Sequence, residues 1–400
     1  LRQAGIEVLV DLGGEPEPTW AAAMACLAKA RDRKPDAIIG LGGGSNMDLA
    51  KLTAKCLTHG GEPGDYTGDD RLPGPILPLI CIPTTAGTGS EVSCADVYTD
   101  HRQGIKLGSI SNYLRPKVAL IDPLLTHSCP PKVTADSGID ALVHAIEAYT
   151  AVDNEQFPLP PGQKSCYQGR HPMGVAMATQ AITLAGRFLE RAVANGSDAE
   201  AREGMALAAM YGGLAFSNVG VALVHALEYA VASFVHVSHG AGNGLLLPHV
   251  MRFNRPGREK EMAEIGSLLG LGVKGTDESI DAIAGLSRPS SCFFCASTRS
   301  YLMSHKETIS MSGEVLRLGM YRLLTLPHPM IPVRIRRGGV GWALSSCGEP
   351  METAAAARRL ERANSRRDKG WGCAFIAGGD RDEGNPNAER LASRQWESGS

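Results

Sequence analysis

Hydrophobic and polar positions change their period along the chain, and the first part alternates short apolar runs with amphipathic stretches. Amphipathic spacing predicts helices at Thr19–Arg31 and Asn46–Cys56. Apolar runs bounded by Gly, Pro or Asp predict strands at Ile6–Asp11, Ala37–Leu41, Leu79–Ile82 and Val118–Asp122. This alternation favours a parallel sheet with helices on its faces, so we expect an α/β domain over residues 1–126.

The pattern from Pro131 onward is almost wholly helical. One helical face carries Ala135, Ile139, Leu142, Val143 and Ile146. Further helices are predicted at Met173–Ala194, Glu200–Ser217 and Val219–Val235. Asp153–Pro172 is polar and rich in Pro and Gly, and we expect it to be a surface loop between helices. We therefore predict an all-α domain over residues 127–285.

The periodic pattern ends near Leu286. Residues 1–285 contain 23 Lys and Arg and 31 Asp and Glu, a net charge of −8. Residues 286–400 contain 17 Lys and Arg and 11 Asp and Glu, a net charge of +6. Only Ser312–Leu324 and Met351–Asn364 predict helices there, and the single Cys292-x-x-Cys295 pair is weak evidence for zinc or redox chemistry. We expect residues 286–400 to be an atypical tail, translated out of frame or disordered.

Composition narrows the classes of function. Hydrophobic residues at 43% and charged residues at 20% are typical of a globular chain, and a net charge of −2 gives no attraction for nucleic acid or acidic membranes. No uncharged apolar run reaches about 18 residues, so no membrane span is expected. Ten scattered cysteines favour reduced thiols and a cytoplasmic location. Because the chain begins at Leu1, we expect an N-terminal truncation, which leaves a mitochondrial location open.

Two polar turns follow predicted strands. The first runs through Gly42, Gly43, Gly44 and Ser45 directly into a helix, where backbone amides and the helix N-terminus can bind a phosphate. A tight turn capped by Ser45 fits the same residues. The second turn, Pro83–Val92, is rich in hydroxyls and glycine, and ligands of open α/β sheets bind at such strand ends. A hydrogen-bonded loop cluster without ligand is its alternative interpretation.

Candidate metal ligands lie in the helical half. Asp140 and His144 stand four residues apart on one helix face, so both can reach one ion. His225 and His239 follow later, and one carboxylate with three imidazoles suits a divalent transition metal. The spacing of Asp140 and His144 alone is more often that of a surface hydrogen bond or a cap than of a metal site. Because His236 and His249 lie in the same part of the chain, the number of histidines alone does not identify the metal ligands.

Four segments in order make the chain resemble the iron-containing (group III) alcohol dehydrogenases. They are GLGGGSNMDLAK, IPTTAGTGSEV, GIDALVHAIEAYT and HALEYAVASFVHVSHGAGNGLLLPHVMRFN, and the resemblance covers about residues 5–285. It implies an α/β dinucleotide-binding domain followed by an all-α metal-binding domain, the dehydroquinate synthase-like architecture. It also implies hydride transfer between an alcohol or hydroxy acid and NAD or NADP, with Fe²⁺ or possible Zn²⁺, in a homo-oligomer.

The resemblance also implies site residues at matching positions. The metal ligands would be Asp140, His144, His225 and His239, and His239 and Tyr229 would take part in catalysis. Tyr229 stands where family members often have a histidine, and it can still relay a proton. The cofactor would be bound by Gly42, Gly43, Gly44, Ser45, Asp48, Thr84, Thr85, Thr88 and Lys106.

Other features keep two alternatives open. Ala230-Val231-Ala232 replaces the family's usual Pro-Leu-Gly. An insertion at Pro158–Gly174, which contains Tyr167-Gln-Gly-Arg-His-Pro172, is similar to one in the hydroxyacid–oxoacid transhydrogenase branch, so that activity is the first alternative. The second is a non-catalytic, metal-binding remnant, because segments that the family carries at both ends are not recognisable.

Overall fold

The structure is a computed structural model, which describes residues 1–286 except 158, 160–163, 233–236 and 274, together with the backbone of 373–377. Its first part alternates strands and helices as the sequence pattern predicts. The helices of this part are α1 (Trp20–Arg31) and α2 (Gly44–His59). Its strands are β1 (Glu7–Asp11), β2 (Ala37–Gly42), β3 (Gly68–Asp69), β4 (Leu79–Pro83), β5 (Ala95–Asp100), β6 (Ile105–Ile110) and β7 (Val118–Ala119).

The main sheet contains the expected parallel strands but is mixed. β2, β4 and β7 pair in parallel as expected. A further strand, β8 (Cys373–Ala377), lies between β1 and β2 and is antiparallel to both, giving the order β1-β8-β2-β4-β7. Apart from this strand and Leu286, the predicted tail, its two predicted helices and its Cys-x-x-Cys pair lie outside the described residues.

The sequence pattern missed a second sheet, in which β5 and β6 form an antiparallel hairpin and β3 pairs with β6. Charged side chains interrupt the apolar alternation of these strands. Asp96 of β5 is fully buried because Lys55 of α2 pairs with it at 3.0 Å, and Ser109 of β6 accepts a hydrogen bond from the same ammonium group at 2.6 Å. A buried ion pair with these additional hydrogen bonds replaces apolar packing at this place.

Helices make up the described part of the second domain, as predicted. They pack through small residues: a Cβ at Gly186 or Gly204 would collide with the neighbouring helix or turn. The predicted helix at Val219–Val235 starts later, at Leu223, because Gly220 ends the preceding helix with a positive φ of 116°. The helices are α3 (Pro131–Thr150), α4 (Pro172–Ala194), α5 (Ala199–Val219), α6 (Leu223–Ala232), α7 (His239–Leu268) and α8 (Thr276–Leu286).

The excursion at Asp153–Pro172 is more than the expected surface loop. Cys166 and Tyr167 are buried and pack with Cys94 and Phe216 in a small apolar cluster. The backbone amides of Gln168 and Gly169 donate to the carbonyls of Asn218 and Val219, at 2.9 and 3.0 Å. Part of this stretch therefore belongs to the interior of the helical domain.

No helix of the described residues is by itself long and apolar enough to cross a bilayer. α5 and α6 together satisfy the length and composition for a span, but they are bent by 101° relative to one another.

Candidate functional site

A cleft of about 170 Å³ lies between the two domains and gathers most of the expected site residues. Its α/β wall is formed by Gly44, Ser45, Asp48, Thr88 and Lys106. Its helical wall carries all four proposed metal ligands together with Tyr229 and Tyr167. Gly42, Gly43, Thr84 and Thr85 lie behind the α/β wall, in the turns that shape it.

The helical wall brings one carboxylate and three imidazoles together. Asp140, His144 and His225 are buried, and each offers a ligand atom within 4.8 Å of the other two. The Nε2 atoms of His144 and His225 are 3.0 Å apart. Asp140 Oδ1 lies 3.8 Å from Nε2 of His225 and 3.8 Å from Nε2 of His239, whose side chain stays 27% exposed at the edge of the cleft. The spacing of Asp140 and His144 therefore serves a buried cluster.

Two glutamates that the sequence reading missed orient these imidazoles. Glu147 Oε2 lies 2.5 Å from Nδ1 of His225, and Glu228 Oε2 lies 2.6 Å from Nδ1 of His239. Each carboxylate accepts from Nδ1 and turns Nε2 of the same ring toward Asp140, an arrangement typical of metal-binding histidines. Each glutamate stands three residues after a histidine, one helical turn away, which is the signal that could have revealed them.

The electrostatics of the cluster follow from burial and mutual contact. Burial lowers the pKa of His144 to about 3, so this imidazole is neutral and free to act as a ligand. Burial also opposes protonation of His239, but Glu228 and Asp140 outweigh it and raise the pKa of His239 to about 9. Burial would raise the pKa of Asp140, yet the surrounding imidazoles lower it.

Asn243 marks the point where the acceptor atoms converge. Its Nδ2 lies 2.8 Å from Oδ1 of Asp140, 3.1 Å from Nε2 of His225 and 3.2 Å from Nε2 of His239. One carboxylate oxygen and two imidazole nitrogens thus surround the amide nitrogen. A cation would interact with these three atoms better than the amide does, because oxygen and imidazole ligands suit divalent transition metals. The donor set therefore fits a metal of this class.

The glycine turn on the other wall leaves room at one position. Gly42 has a φ of 145°, and a Cβ there would collide with the Asn46 side chain. A Cβ at Gly44 would lie 2.6 Å from Thr88. At Gly43 the nearest atoms, in Thr85, would be 3.6 Å away, an ordinary contact. The protein itself thus requires glycine at two of these positions, whereas at Gly43 it has room for a side chain.

Asp48 and Lys106 are held by neighbours in the cleft. Asp48 accepts from the Ser90 hydroxyl at 2.6 Å and from the Val97 amide at 3.1 Å, and burial raises its pKa to about 6. Lys106 Nζ lies 2.9 Å from Glu17 and 3.6 Å from Glu228, so it bridges the two walls.

Tyr229 stacks on His239, with ring centres 5.7 Å apart, and lies 5.9 Å from Lys106 Nζ. Burial raises the pKa of its phenol, which keeps the hydroxyl protonated at neutral pH. Tyr229 is thus a neutral phenol that contacts both His239 and Lys106.

Comparison with known proteins identifies the family to which this architecture belongs. The sequence model of the family "Iron-containing alcohol dehydrogenase" matches residues 1–123, and that of "Fe-containing alcohol dehydrogenase family, C-terminal" matches residues 166–289. The chain belongs to the iron-containing alcohol dehydrogenase family. The expected family and two-part fold class are thereby confirmed, and the matches end close to the residue where the periodic pattern stops.

Three similar proteins illustrate the relationship. Long-chain-alcohol dehydrogenase 1 of Geobacillus thermodenitrificans is 44% identical over 273 residues, 68% of this chain and 65% of the relative. NAD-dependent methanol dehydrogenase of Bacillus methanolicus is 36% identical over 69% of this chain and 68% of its own length. The crystal structure of a 1,3-propanediol oxidoreductase superposes with a TM-score of 0.65 at 37% identity, covering 72% of both chains. The chain thus spans about two thirds of the length of its relatives.

Proposed function

We propose that this chain is a metal-dependent, NAD-linked alcohol dehydrogenase. The observation that supports this function best is the position of the Asp140, His144, His225 and His239 cluster across one cleft from the glycine turn. When bound, the metal supplies a Lewis acid that lowers the pKa of the substrate hydroxyl, and the nicotinamide supplies the hydride acceptor. The remaining work of binding, orienting and moving protons falls to the side chains of the two walls.

Two of the proposed metal ligands have a carboxylate behind them. Glu147 and Glu228 fix the rings of His225 and His239, so that both Nε2 atoms point at Asp140. We infer Fe²⁺ as the resident ion because of family membership, and Zn²⁺ as an alternative, since oxygen and nitrogen donors do not separate the two.

The proposed cofactor site lies along the α/β wall. The amides at the N-terminus of α2 and the small residues Gly43 and Gly44 suit a diphosphate. The hydroxyl-rich turn that carries Thr84, Thr85 and Thr88 would then lie beside the nicotinamide half. Asp48 would act indirectly, since its carboxylate holds Ser90 of this turn. We propose NAD as the cofactor, with NADP left to a direct comparison of the two.

Proton release has a candidate route through Tyr229. The substrate hydroxyl proton must leave when the carbonyl forms, and the neutral Tyr229 phenol lies between His239 and Lys106. Lys106 in turn contacts Glu17 at the open side of the cleft. We propose that Tyr229 and His239 hold the substrate oxygen and pass its proton toward this side.

The proposal is tested by anaerobic assay of the purified protein with Fe²⁺ or Zn²⁺, NAD⁺ or NADP⁺, and a panel of primary alcohols and 4-hydroxybutyrate. An alcohol dehydrogenase forms NADH from an alcohol alone. The transhydrogenase alternative predicts turnover only when a hydroxy acid and an oxo acid are both present, with no release of NADH. A non-catalytic remnant would bind metal and cofactor without either reaction.

The cytoplasmic location and the homo-oligomeric state are part of this proposal. The six cysteines from Cys26 to Cys166 are free thiols, which agrees with a reducing compartment. Cell fractionation and light scattering of the purified protein test these two statements.

A further inference from the structure

A second, larger cavity lies beyond the helical wall of the cleft. Its volume is about 330 Å³, roughly twice that of the reaction cleft. It is bounded by the C-terminal end of α3, the start of the 153–172 excursion, the junction of α5 and α6, and α7 near Arg258. Polar side chains, among them Asp153, Asn254 and Arg258, line it together with apolar ones such as Phe157 and Val219.

Two residues line both this side cavity and the reaction cleft: Tyr167 and Val221. Tyr167 is the larger, and it is buried beside Phe216, whose ring stacks on the His144 imidazole with centres 4.4 Å apart. The apolar cluster that contains Tyr167 and Phe216 therefore contacts a proposed metal ligand. A substrate chain that extends from the metal toward this side of the cleft meets Tyr167.

The Tyr167 ring is held in place by its surroundings. Gly220 allows the close approach, because a Cβ there would lie 3.3 Å from the ring. The Tyr167 amide donates to Ser165 Oγ at 3.0 Å, and the next two amides bond to the end of α5. A residue fixed in this way acts as a wall with a defined position, because its rotamer is set by packing.

We propose that Tyr167, together with Val221, sets the length of the alcohol chain that the enzyme accepts by closing the reaction cleft off from the side cavity. This inference rests on the proposed function and specifies its substrate class: short, unbranched primary alcohols. Longer chains meet the Tyr167 ring, and removal of the ring gives them the side cavity as additional space. A methylene that does not fit an apolar pocket lowers kcat/KM by about 10- to 200-fold.

The test compares kcat/KM for 1-octanol and for ethanol in the Fe²⁺-loaded, NAD⁺-supplied protein and its variants. We expect Tyr167→Ala to raise the octanol-to-ethanol ratio by at least about tenfold. Tyr167→Phe keeps the ring and is the matched control, so its ratio should stay within about twofold of wild type. An unchanged ratio in folded Tyr167→Ala protein would overturn the inference.

A second variant checks that the gained space is the side cavity. A Cβ at Gly257, which lines that cavity, would meet nothing within 4 Å, so Gly257→Leu can fill it without a clash. Added to Tyr167→Ala, this change should return the ratio toward the wild-type value. A ratio that stays high in the double variant would contradict the proposed route.

The remaining outcomes separate this inference from the proposed function. Truncation of a buried aromatic ring costs about 3–5 kcal/mol, so Val221→Ala replaces Tyr167→Ala if circular dichroism shows that the latter is unfolded. A metal-loaded wild type that oxidises no alcohol contradicts the proposed function instead. In that case the melting temperature tests the role of Tyr167. Dilute 1-octanol should raise the melting temperature of Tyr167→Ala more than that of wild type, and equal shifts would overturn the inference.

Discussion

The two walls of the cleft are built on different principles. The helical wall presents side chains, and each of His225 and His239 has a carboxylate behind it that fixes its ring. The α/β wall combines the side chains of Asp48, Thr88 and Lys106 with a glycine turn, of which Gly44 lines the cleft. The first wall suits an ion that is bound by specific side-chain atoms. The second suits a cofactor whose phosphates are bound by backbone amides, because glycine leaves space for them.

The walls also differ in what stabilises them. Behind the α/β wall, the fully buried Lys51 donates to the Ser90 and Ser93 hydroxyls at 3.0 and 2.8 Å and to the Ala95 carbonyl at 2.7 Å. One ammonium group thus fixes the loop that follows the hydroxyl-rich turn. The helical wall is held instead by packed helices around its imidazoles. We therefore expect substitutions in the helical wall to affect metal binding. Substitutions in the α/β wall should affect folding or cofactor binding.

The largest effect is expected from His225→Ala in the helical wall. Loss of a ligand from a site of four removes a coordination bond, so the purified variant should hold no metal and lose at least about a thousandfold in kcat/KM. Metal analysis by mass spectrometry measures the first effect. His249→Ala is the control, because this exposed histidine of α7 lies outside the cleft. Stoichiometric metal in His225→Ala would refute the ligand assignment.

Lys51→Met should mainly destabilise the α/β wall. The hydroxyls of Ser90 and Ser93 lose their buried donor and Asp48 loses its nearest cation, so we expect a loss of about 3 kcal/mol in the free energy of unfolding. Urea denaturation measures it. Lys29→Met removes an exposed lysine that is paired with Asp11, and should cost less than about 1 kcal/mol. Equal losses in the two variants would mean that Lys51 does not fix this loop.

Glu228→Gln tests the carboxylates behind the imidazoles. The amide cannot hold the proton on Nδ1 of His239 as a carboxylate does, and we expect metal affinity to fall by about 10- to 100-fold. Competition with a coloured chelator measures this affinity. Glu264→Gln, which alters an acidic partner of Tyr149 outside the cleft, is the matched control. Unaltered affinity in Glu228→Gln would show that the imidazole does not depend on its carboxylate.

The smallest effect is expected from Gly43→Val in the α/β wall. The protein has room for a Cβ here, so folding should survive, but the side chain occupies the space that a diphosphate needs. We expect dinucleotide affinity to fall by at least about tenfold, or roughly 1.4 kcal/mol, in calorimetric titration. Gly285→Ala in α8, where a Cβ also meets open space, is the control. Full affinity in folded Gly43→Val would place the phosphates elsewhere.

The sequence predicted the two walls better than what supports them. Asp140 and His144 were found because they share a helix face, and the glycine turn because it follows a strand. Glu147, Glu228 and Asn243 were missed, since a single polar residue one helical turn from a histidine looks like any solvated charge. Only the folded chain brings residues from α3, α6 and α7 to one point.

Two stretches of fold were misjudged for a similar reason. The β5–β6 hairpin was missed because Asp96 breaks the apolar alternation, and its buried partner Lys55 lies on another element. The excursion that carries Tyr167 has the composition of a surface loop, yet one aromatic ring is enough to anchor part of it in the interior. In both stretches long-range contacts outweigh the local pattern.

The central claim is that one metal ion, bound by the helical wall, makes the chain an alcohol dehydrogenase. The most direct test is an anaerobic titration of Fe²⁺ into metal-free protein with NAD⁺ and ethanol, following the absorbance of NADH. The account predicts a rate that rises linearly to one equivalent of Fe²⁺ and then stays constant, and no rate at any Fe²⁺ concentration in Asp140→Asn. NADH formation without added metal, or equal rates in Asp140→Asn and wild type, would contradict it.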